Sequence, residues 1–184
     1  DWKKKKLEEV MLLIEACTGL WLEASTSQEF VVMSDSLRLN FNMVSRSSVP
    51  VLIKRIQLDS SYILSIHDSV KEKYPSYAES YKREMVTQPY FVDTLLNKKM
   101  AVNQAVNFVR KIQVKRNETE PYWIKNPMRA GNFTVDDQSM IGMAENIPVY
   151  NVQFTVRIEE EDFVFVKPVQ YKFTDPVKGE LYQK

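Results

Sequence analysis

The sequence has few of the residues on which catalytic and structural sites are commonly built. It holds one cysteine, Cys17, so no disulfide can form within the chain and the fold must rest on its core. It also holds one histidine, His67, followed by Asp68. Because a catalytic zinc ion usually takes three protein ligands, we expect His67 in a surface or capped position rather than on a metal.

Glycine is also scarce, and this argues against several nucleophile and phosphate sites. The chain has 4 glycines, which disfavours a glycine-rich phosphate loop, and no Gly-x-Ser-x-Gly motif presents a serine nucleophile. Cys17 falls on the apolar face of a predicted helix, where we expect a small buried side chain. The acidic pair Asp136 and Asp137 and the run 159–161 fit solvated turns better than a glycosidase carboxylate pair. A hydrolase that uses scattered acids is therefore the last of our hypotheses.

Long apolar runs and an excess of one charge are missing too. No run approaches the roughly 20 residues that span a bilayer. The chain has 25 basic and 24 acidic residues, and the lysine run 3–6 is best explained as a solvated helix start. We therefore expect no membrane span and no nucleic-acid partner. Because the chain begins with Asp1 and shows no signal peptide, we also expect it to be a piece of a longer protein.

The clearest positive pattern is an alternation of apolar and polar residues near the C-terminus. From 149 to 158 every second residue is apolar, which predicts a half-buried strand. Three glutamates follow at 159–161, and a second apolar row runs from Phe163 to Phe173. Two such strands joined by a charged turn form a hairpin, which is only marginally stable alone. The rest of the chain must therefore supply a second layer.

Other segments predict one helix and further strands. Apolar residues recur at threes and fours from Trp2 to about Glu23, which predicts a helix that ends or bends at Gly19. Leu20, Trp21 and Leu22 would then enter the core as an anchor. Strands are predicted at 37–44, at 51–58 with a bulge between Ile53 and Ile56, and at 103–114; residues 30–33 are also β-prone. Tyrosines at helical intervals predict a partly helical insertion around 67–100.

Together these elements predict a mainly β protein, an immunoglobulin-like β-sandwich with an N-terminal α-helix and about six to eight strands. Residues 1–25 would be the helix, and are also interpretable as the tail of an upstream domain. Residues 26–184 would be the sandwich. A chain of 184 residues with 44% hydrophobic content is long enough for one sizeable core or two small ones.

Several phrases of the sequence resemble the region that follows the catalytic domain in long bacterial PIG-L (LmbE-like) deacetylases. They are 19–24 (GLWLEA), 45–47 (SRS), 119–124 (TEPYWI), 131–135 (GNFTV), 140–142 (MIG) and 168–180 (PVQYKFTDPVKGE). The resemblance implies a zinc-dependent N-deacetylase that acts on N-acetylglucosamine-type substrates through a His-Pro-Asp-Asp motif. That motif is absent here, so the resemblance implies a non-catalytic accessory module with zinc only in a catalytic domain outside this chain.

The resemblance also implies partners and a compartment. The first partner would be the catalytic domain of the same parent chain, and a periplasmic or secreted location is favoured. An alternative is a carbohydrate-binding module that presents aromatic rings to a glycan. Tyr122 and Trp123, which follow Pro121, are the candidate ligand-binding residues, because exposed aromatic rings give apolar faces on which sugars stack. The competing interpretation places Trp123 between the two sheets as core.

Overall fold

The secondary structure consists of one α-helix, one short 3₁₀ helix and ten strands in the part of the chain described here. The structure is a computed structural model that describes residues 2–58, 92–114, 119–128, 130–144, 146 and 148–183, with the backbone of 62–63 and 85–86. The elements are α1 (Trp2–Cys17), β1 (Leu20–Thr26), β2 (Ser36–Ser45), β3 (Val51–Leu58), β4 (Tyr62–Ile63), β5 (Met85–Val86), β6 (Val92–Lys99), β7 (Ala105–Gln113), the 3₁₀ helix (Gln138–Met140), β8 (Asn151–Ile158), β9 (Glu161–Asp175) and β10 (Gly179–Gln183). The predicted mainly β class with an N-terminal helix is confirmed.

The strands form one strongly bent, sandwich-like sheet. Its order is β6-β3-β8-β9-β1-β2-β7, with β10 added beside β9, while β4 and β5 pair separately. β9 is 15 residues long and serves both halves: Glu161–Pro168 pairs with β8, and the later residues pair with β1 and β10. All these pairings are antiparallel except that of β1 with β9. One long strand therefore joins the two layers.

The predicted C-terminal hairpin forms with a regular register. β8 and β9 pair from Asn151↔Pro168 to Ile158↔Glu161, and every second residue of β8 is buried. The turn needs a positive φ at Glu159, which is +53°. The apolar row that the sequence predicts is thus the core-facing row of a central strand.

Aromatic and branched side chains from both layers meet in the core. Phe41 of β2 lies 6.3 Å from Phe154 of β8, ring centre to ring centre, in an edge-on arrangement. Phe41 also lies 5.7 Å from Phe108 on the neighbouring β7. The largest fully buried side chains are Phe41, Phe154, Leu39, Met43, Ile53, Ile56, Leu58, Val152, Val156 and Ser45. These contacts hold the two halves of the sheet face to face.

The helix is shorter than the range 1–25 that the sequence predicts. It ends at Cys17, and Gly19 has a φ of +59°, a conformation that glycine adopts without the strain of a side chain. The chain then enters β1, which pairs with β2 from Leu20↔Ser45. Leu20 and Leu22 join the core as predicted, whereas Trp21 points to the other side of the strand and is half exposed. Strand pairing with β2 thus overrides helical spacing beyond Gly19.

The other predicted elements are largely found. β2, β3 and β7 fall on the predicted segments, and the register shift between Ile53 and Arg55 confirms the bulge. Residues 30–33 form no strand, and Phe30 is exposed. Of the insertion predicted around 67–100, residues 67–91 lie outside the described residues apart from the backbone of 85–86, and 92–99 form β6.

Helix length and hydropathy bear on membrane insertion. No helix among the described residues combines the length and the apolar character that a bilayer crossing requires.

Candidate functional sites

Tyr122 and Trp123 lie in the irregular segment between β7 and β8. A turn closed by the bond from the Ile124 amide to the Pro121 carbonyl, 3.1 Å long, places both rings side by side. Their ring centres are 4.9 Å apart and the rings are perpendicular. Trp123 is 38% exposed, so the interpretation that it fills the core is wrong. The reason is that its segment runs outside the strands, whose core is filled by other residues.

Tyr122 forms one wall of an open cleft of about 390 Å³. Its hydroxyl accepts a hydrogen bond of 3.2 Å from the Gly142 amide, which fixes the ring. The other walls carry carboxylate and amide groups, among them Glu120, Asn126 and Asp136. Asn126 is itself held by a 3.0 Å bond from its amide to the Thr134 carbonyl. An aromatic wall beside fixed polar groups is the chemistry of a small polar ligand site.

Asp137 also lines this cleft, but its carboxylate has a structural role. It begins the 3₁₀ helix Gln138–Met140, and its Oδ1 accepts bonds from the Ser139 hydroxyl, 2.6 Å, and the Ser139 amide, 2.9 Å. These two bonds hold the pKa of the Asp137 carboxyl below its ordinary value. Asp137 is therefore an ionised helix cap rather than a proton donor.

A second polar cluster, which the sequence does not predict, lies where β1, β9 and β10 meet. Glu23 of β1 is only 8% exposed. Its carboxylate accepts bonds from the Ser25 hydroxyl, 3.3 Å, the Lys172 ammonium, 3.3 Å, and the Tyr182 hydroxyl, 3.1 Å. Lys172 also pairs with Glu180 at 3.0 Å and lies 5.1 Å from the centre of the Tyr182 ring. We call these five residues the Glu23 cluster.

The charges of the Glu23 cluster reinforce one another. Burial lowers the pKa of Lys172, but hydrogen bonds with Tyr182 and Glu180 and the charge of Glu23 outweigh it, so the net change is upward. The hydrogen bond with Lys172 lowers the pKa of Glu180. For Tyr182 the bond with Lys172 lowers the pKa, yet burial and the Glu23 charge prevail and raise it. Lys172 is thus a fixed cation at the centre of the cluster.

Helix α1 presents a third surface. None of its residues is buried, and only Met11 and Ile14 pack partly against the core. An apolar stripe of Trp2, Val10, Leu13 and Cys17 follows helical spacing along a different side. All four side chains are exposed, and the Lys6 ammonium lies 6.0 Å from the Trp2 ring centre. We call these four residues the α1 stripe.

The remaining candidates from the sequence have simple outcomes. Cys17 is exposed, so the expectation that it is buried is wrong; its helix touches the sheet through a different side. His67 lies outside the described residues. Among the residues that the structure does describe, no three His, Cys, Asp or Glu side chains are grouped so as to hold a metal ion.

Sequence reasoning missed the Glu23 cluster and the α1 stripe for different reasons. The cluster joins residues about 150 positions apart, since Lys172 and Glu23 are separated by 149 positions, and no local pattern reports such a contact. A signal for the stripe was present, because apolar residues of α1 occupy more than one side of the helix. Apolar residues outside the side that packs on the sheet are a sequence signal for a second apolar surface.

Fold and sites together define a mainly β, sandwich-like domain with an attached N-terminal helix. No protein-family model matches the chain, and no curated protein matches it. Among solved structures it is similar to Spo0M, a sporulation control protein from Bacillus subtilis, with 4% identity over 82% of this chain and a TM-score of 0.38. The chain spans 48% of that protein's length. A likeness of this degree supports no statement about function.

Proposed function

We propose that this chain is a non-catalytic accessory module of a multidomain PIG-L-like deacetylase, and that it supports the catalytic domain through the α1 stripe. The single observation that carries the proposal is a row of exposed apolar side chains on a helix that already packs against its own sheet. The resemblance of the sequence names the partner. In this proposal zinc and the deacetylation chemistry belong to the partner domain, and the location is periplasmic or secreted.

The two sides of α1 have separate tasks in this proposal. Met11 and Ile14 face the core, and Glu15 is tied to Lys167 of β9 by an ion pair of 2.7 Å. These contacts fix the orientation of the helix. The stripe then projects away from the sheet, and burial of such apolar area against a partner gains roughly 25 cal/mol per Å² before the costs of association.

A first experiment reads the gene on both sides of the codons for residues 1–184. The proposal expects a PIG-L-type catalytic domain with a His-Pro-Asp-Asp motif in the same reading frame. A reading frame that encodes no such domain would contradict the proposal directly.

A second experiment measures binding between this chain and that catalytic domain produced separately. Leu13→Glu places a charge in the middle of the stripe, and we expect it to weaken binding at least about tenfold in calorimetry, a loss of about 1.4 kcal/mol. Val177→Glu is the control, since Val177 is an apolar and still more exposed side chain in the turn before β10. Equal affinity of the two variants would exclude the stripe as the contact surface. Acetate release from N-acetylglucosamine substrates by the chain alone would show that it is itself an enzyme.

A carbohydrate-binding module is the second candidate function. Its specific support is that Trp123 is 38% exposed and that Tyr122 lines a cleft with carboxylate and amide groups. Binding to a glycan array by the wild-type chain, lost in Trp123→Ala and in Tyr122→Ala, would establish it. An array without any bound glycan would remove this candidate.

The finer fold class is also a proposal. An immunoglobulin-like arrangement is supported by the two facing layers and by the strand that passes from one to the other. An experimental structure with a different strand connectivity would refute it.

A further inference from the structure

A cleft of about 370 Å³ lies beside the Glu23 cluster, between the last turn of α1 and strands β1, β9 and β10. Its walls include Trp21, Glu23, Gln170 and Tyr182. It is separate from the cleft at Tyr122 and from the α1 stripe, since it shares no residue with either. Its size lies within the range of small-molecule sites.

Trp21, the tryptophan in the wall of this cleft, differs from the rest of its strand in exposure. Every residue of β1 from Leu20 to Thr26 is buried except Trp21, which is 47% exposed. Trp21 and Glu23 are two positions apart, so their side chains leave β1 on the same face. The structure thus puts an accessible indole ring next to a nearly buried carboxylate.

The polar wall has unused hydrogen-bonding capacity. A carboxylate offers about four acceptor positions. Ser25, Lys172 and Tyr182 donate to Glu23, which leaves about one position for a ligand. Gln170 lines the same cleft and brings both a donor and an acceptor. These groups suit a ligand with several hydroxyls.

Both lysines beside the cleft are already paired with carboxylates of the protein. Lys167 pairs with Glu15 at 2.7 Å, and Lys172 pairs with Glu23 at 3.3 Å and with Glu180 at 3.0 Å. Each ammonium therefore already has a carboxylate partner. A phosphate or other anion would meet these carboxylates, and a cation would meet the two lysines. A neutral ligand avoids the repulsion between like charges in both cases.

We infer that this cleft binds the ring of a neutral hexopyranose. The apolar face of the sugar stacks on Trp21, and its hydroxyl groups exchange hydrogen bonds with Gln170 and Glu23. Stacking and hydrogen bonding are both expected here, because the cleft has an exposed aromatic ring beside fixed polar groups. The inference goes beyond the proposed accessory role and does not depend on it.

The test is a titration of the full chain with methyl β-D-glucopyranoside, followed through the three tryptophan indole N–H signals in an NMR spectrum. We expect the Trp21 signal to shift and those of Trp2 and Trp123 to stay, with a Kd on the order of 1 mM, typical of a ligand of this size. Trp21→Phe, which keeps an aromatic ring, assigns the signal. Glucuronate and glucosamine, which add one negative or positive charge to the same ring, should bind more weakly than the neutral sugar.

Variants then decide whether the binding belongs to this cleft. Trp21→Ala should weaken binding about tenfold, and Trp21→Tyr should retain most of it. Leu13→Glu in the α1 stripe and Trp123→Ala should leave it unchanged, which separates this site from both proposed functions. The inference is overturned if no Trp21 shift is seen, if Trp21→Ala binds as well as the wild type, or if a charged sugar binds more tightly.

Discussion

Helix α1 and strand β8 are both apolar and regular, yet the fold uses them in opposite ways. β8 buries every second residue and pairs along its whole length, with β3 on one side and β9 on the other. α1 buries none of its residues and is attached near its C-terminal end. The attachments include the packing of Met11 and Ile14, the Glu15 pair with Lys167, 2.7 Å, and, just after the helix, the bond from the Ser47 hydroxyl to the Thr18 carbonyl, 2.6 Å.

The difference shows which apolar residues the domain needs for its own stability. Those of β8 have partners from both layers, and Phe154 makes the contact with Phe41 that joins them. Those of the α1 stripe have solvent instead. Both elements show an apolar periodicity, at threes and fours in α1 and at every second residue in β8, so only the packing tells the core from an exposed apolar surface.

The largest expected effect comes from truncating one side chain in the core and one in the α1 stripe and comparing the losses of stability. Phe154→Ala removes a fully buried ring from between the layers and should lower the free energy of unfolding by about 3–5 kcal/mol. Leu13→Ala in the α1 stripe should change it by less than about 0.5 kcal/mol. Urea unfolding followed by circular dichroism measures both. Similar losses in the two variants would mean that the stripe is part of the core.

The Glu23 cluster extends the comparison of buried and exposed residues to polar side chains. Its hydrogen bonds and ion pairs fix β10 and β1 to β9. Glu23→Gln keeps the shape but removes the charge that Lys172 faces, and should cost about 1–3 kcal/mol in urea unfolding. Glu180→Gln, at the exposed end of the same cluster, is the control and should cost less. An equal cost for both variants would show that burial of Glu23 is not what gives the cluster its strength.

The junction between α1 and the sheet should respond to a single methyl group. In Gly19→Ala the new Cβ, in a backbone with φ +59°, would lie 3.3 Å from the Arg46 Cβ and the Ser47 amide nitrogen. We expect a loss of about 1–2 kcal/mol from the left-handed conformation, with a further cost from these contacts. Gly131→Ala is the control, since Gly131 has φ +82° and nothing within 4 Å of the added atom. Thermal unfolding of the two variants measures the extra cost of the contacts at Gly19. Equal losses of stability would mean that backbone strain alone explains the effect and that the contacts add nothing.

The smallest effect concerns pH and the outer edge of the β8–β9 hairpin. The Arg157 and Lys54 side chains both donate hydrogen bonds to the Asp162 carboxylate, at 2.7 Å and 2.6 Å. These bonds lower the pKa of Asp162 to about 2. Because the folded pKa lies below the unfolded one, the stabilisation is present above about pH 4 and is lost as the pH falls toward 2. The Tm difference between the wild type and Asp162→Asn should therefore shrink between pH 5 and pH 2. A difference that is constant over this range would contradict the assignment.

The sequence predicts the strands well because each carries its own alternation. Leu37 to Val44 and Tyr150 to Ile158 can be assigned locally, since side chains on a strand change face at every residue. The end of α1 is harder to predict, because Gly19 fits either an end or a bend and helical spacing continues past it; the pairing of Leu20 with Ser45 decides for an end. The Glu23 cluster is beyond local reasoning, because it depends on a parallel contact between β1 and β9.

Prediction of the sites was less complete for the same physical reason. The sequence predicts Tyr122 and Trp123 as ligand-binding residues because Pro121 and two adjacent rings form a local signal, whereas it places Trp21 in the core with its neighbours. In a helix Trp21 would follow the apolar face of α1, but in β1 it leaves the strand opposite to Leu20 and Leu22. A change of element moves a residue from the core to the wall of a cleft.

The most direct test of the proposed docking role is amide hydrogen exchange of the chain, alone and with a PIG-L-type catalytic domain as the proposed partner, read by mass spectrometry. We predict that peptides from α1 exchange rapidly in the isolated chain and become protected in the complex, while those from β8 exchange slowly in both. If α1 is as protected as β8 in the isolated chain, or gains no protection from the catalytic domain, the stripe is not a docking surface and the chain does not support that domain through α1.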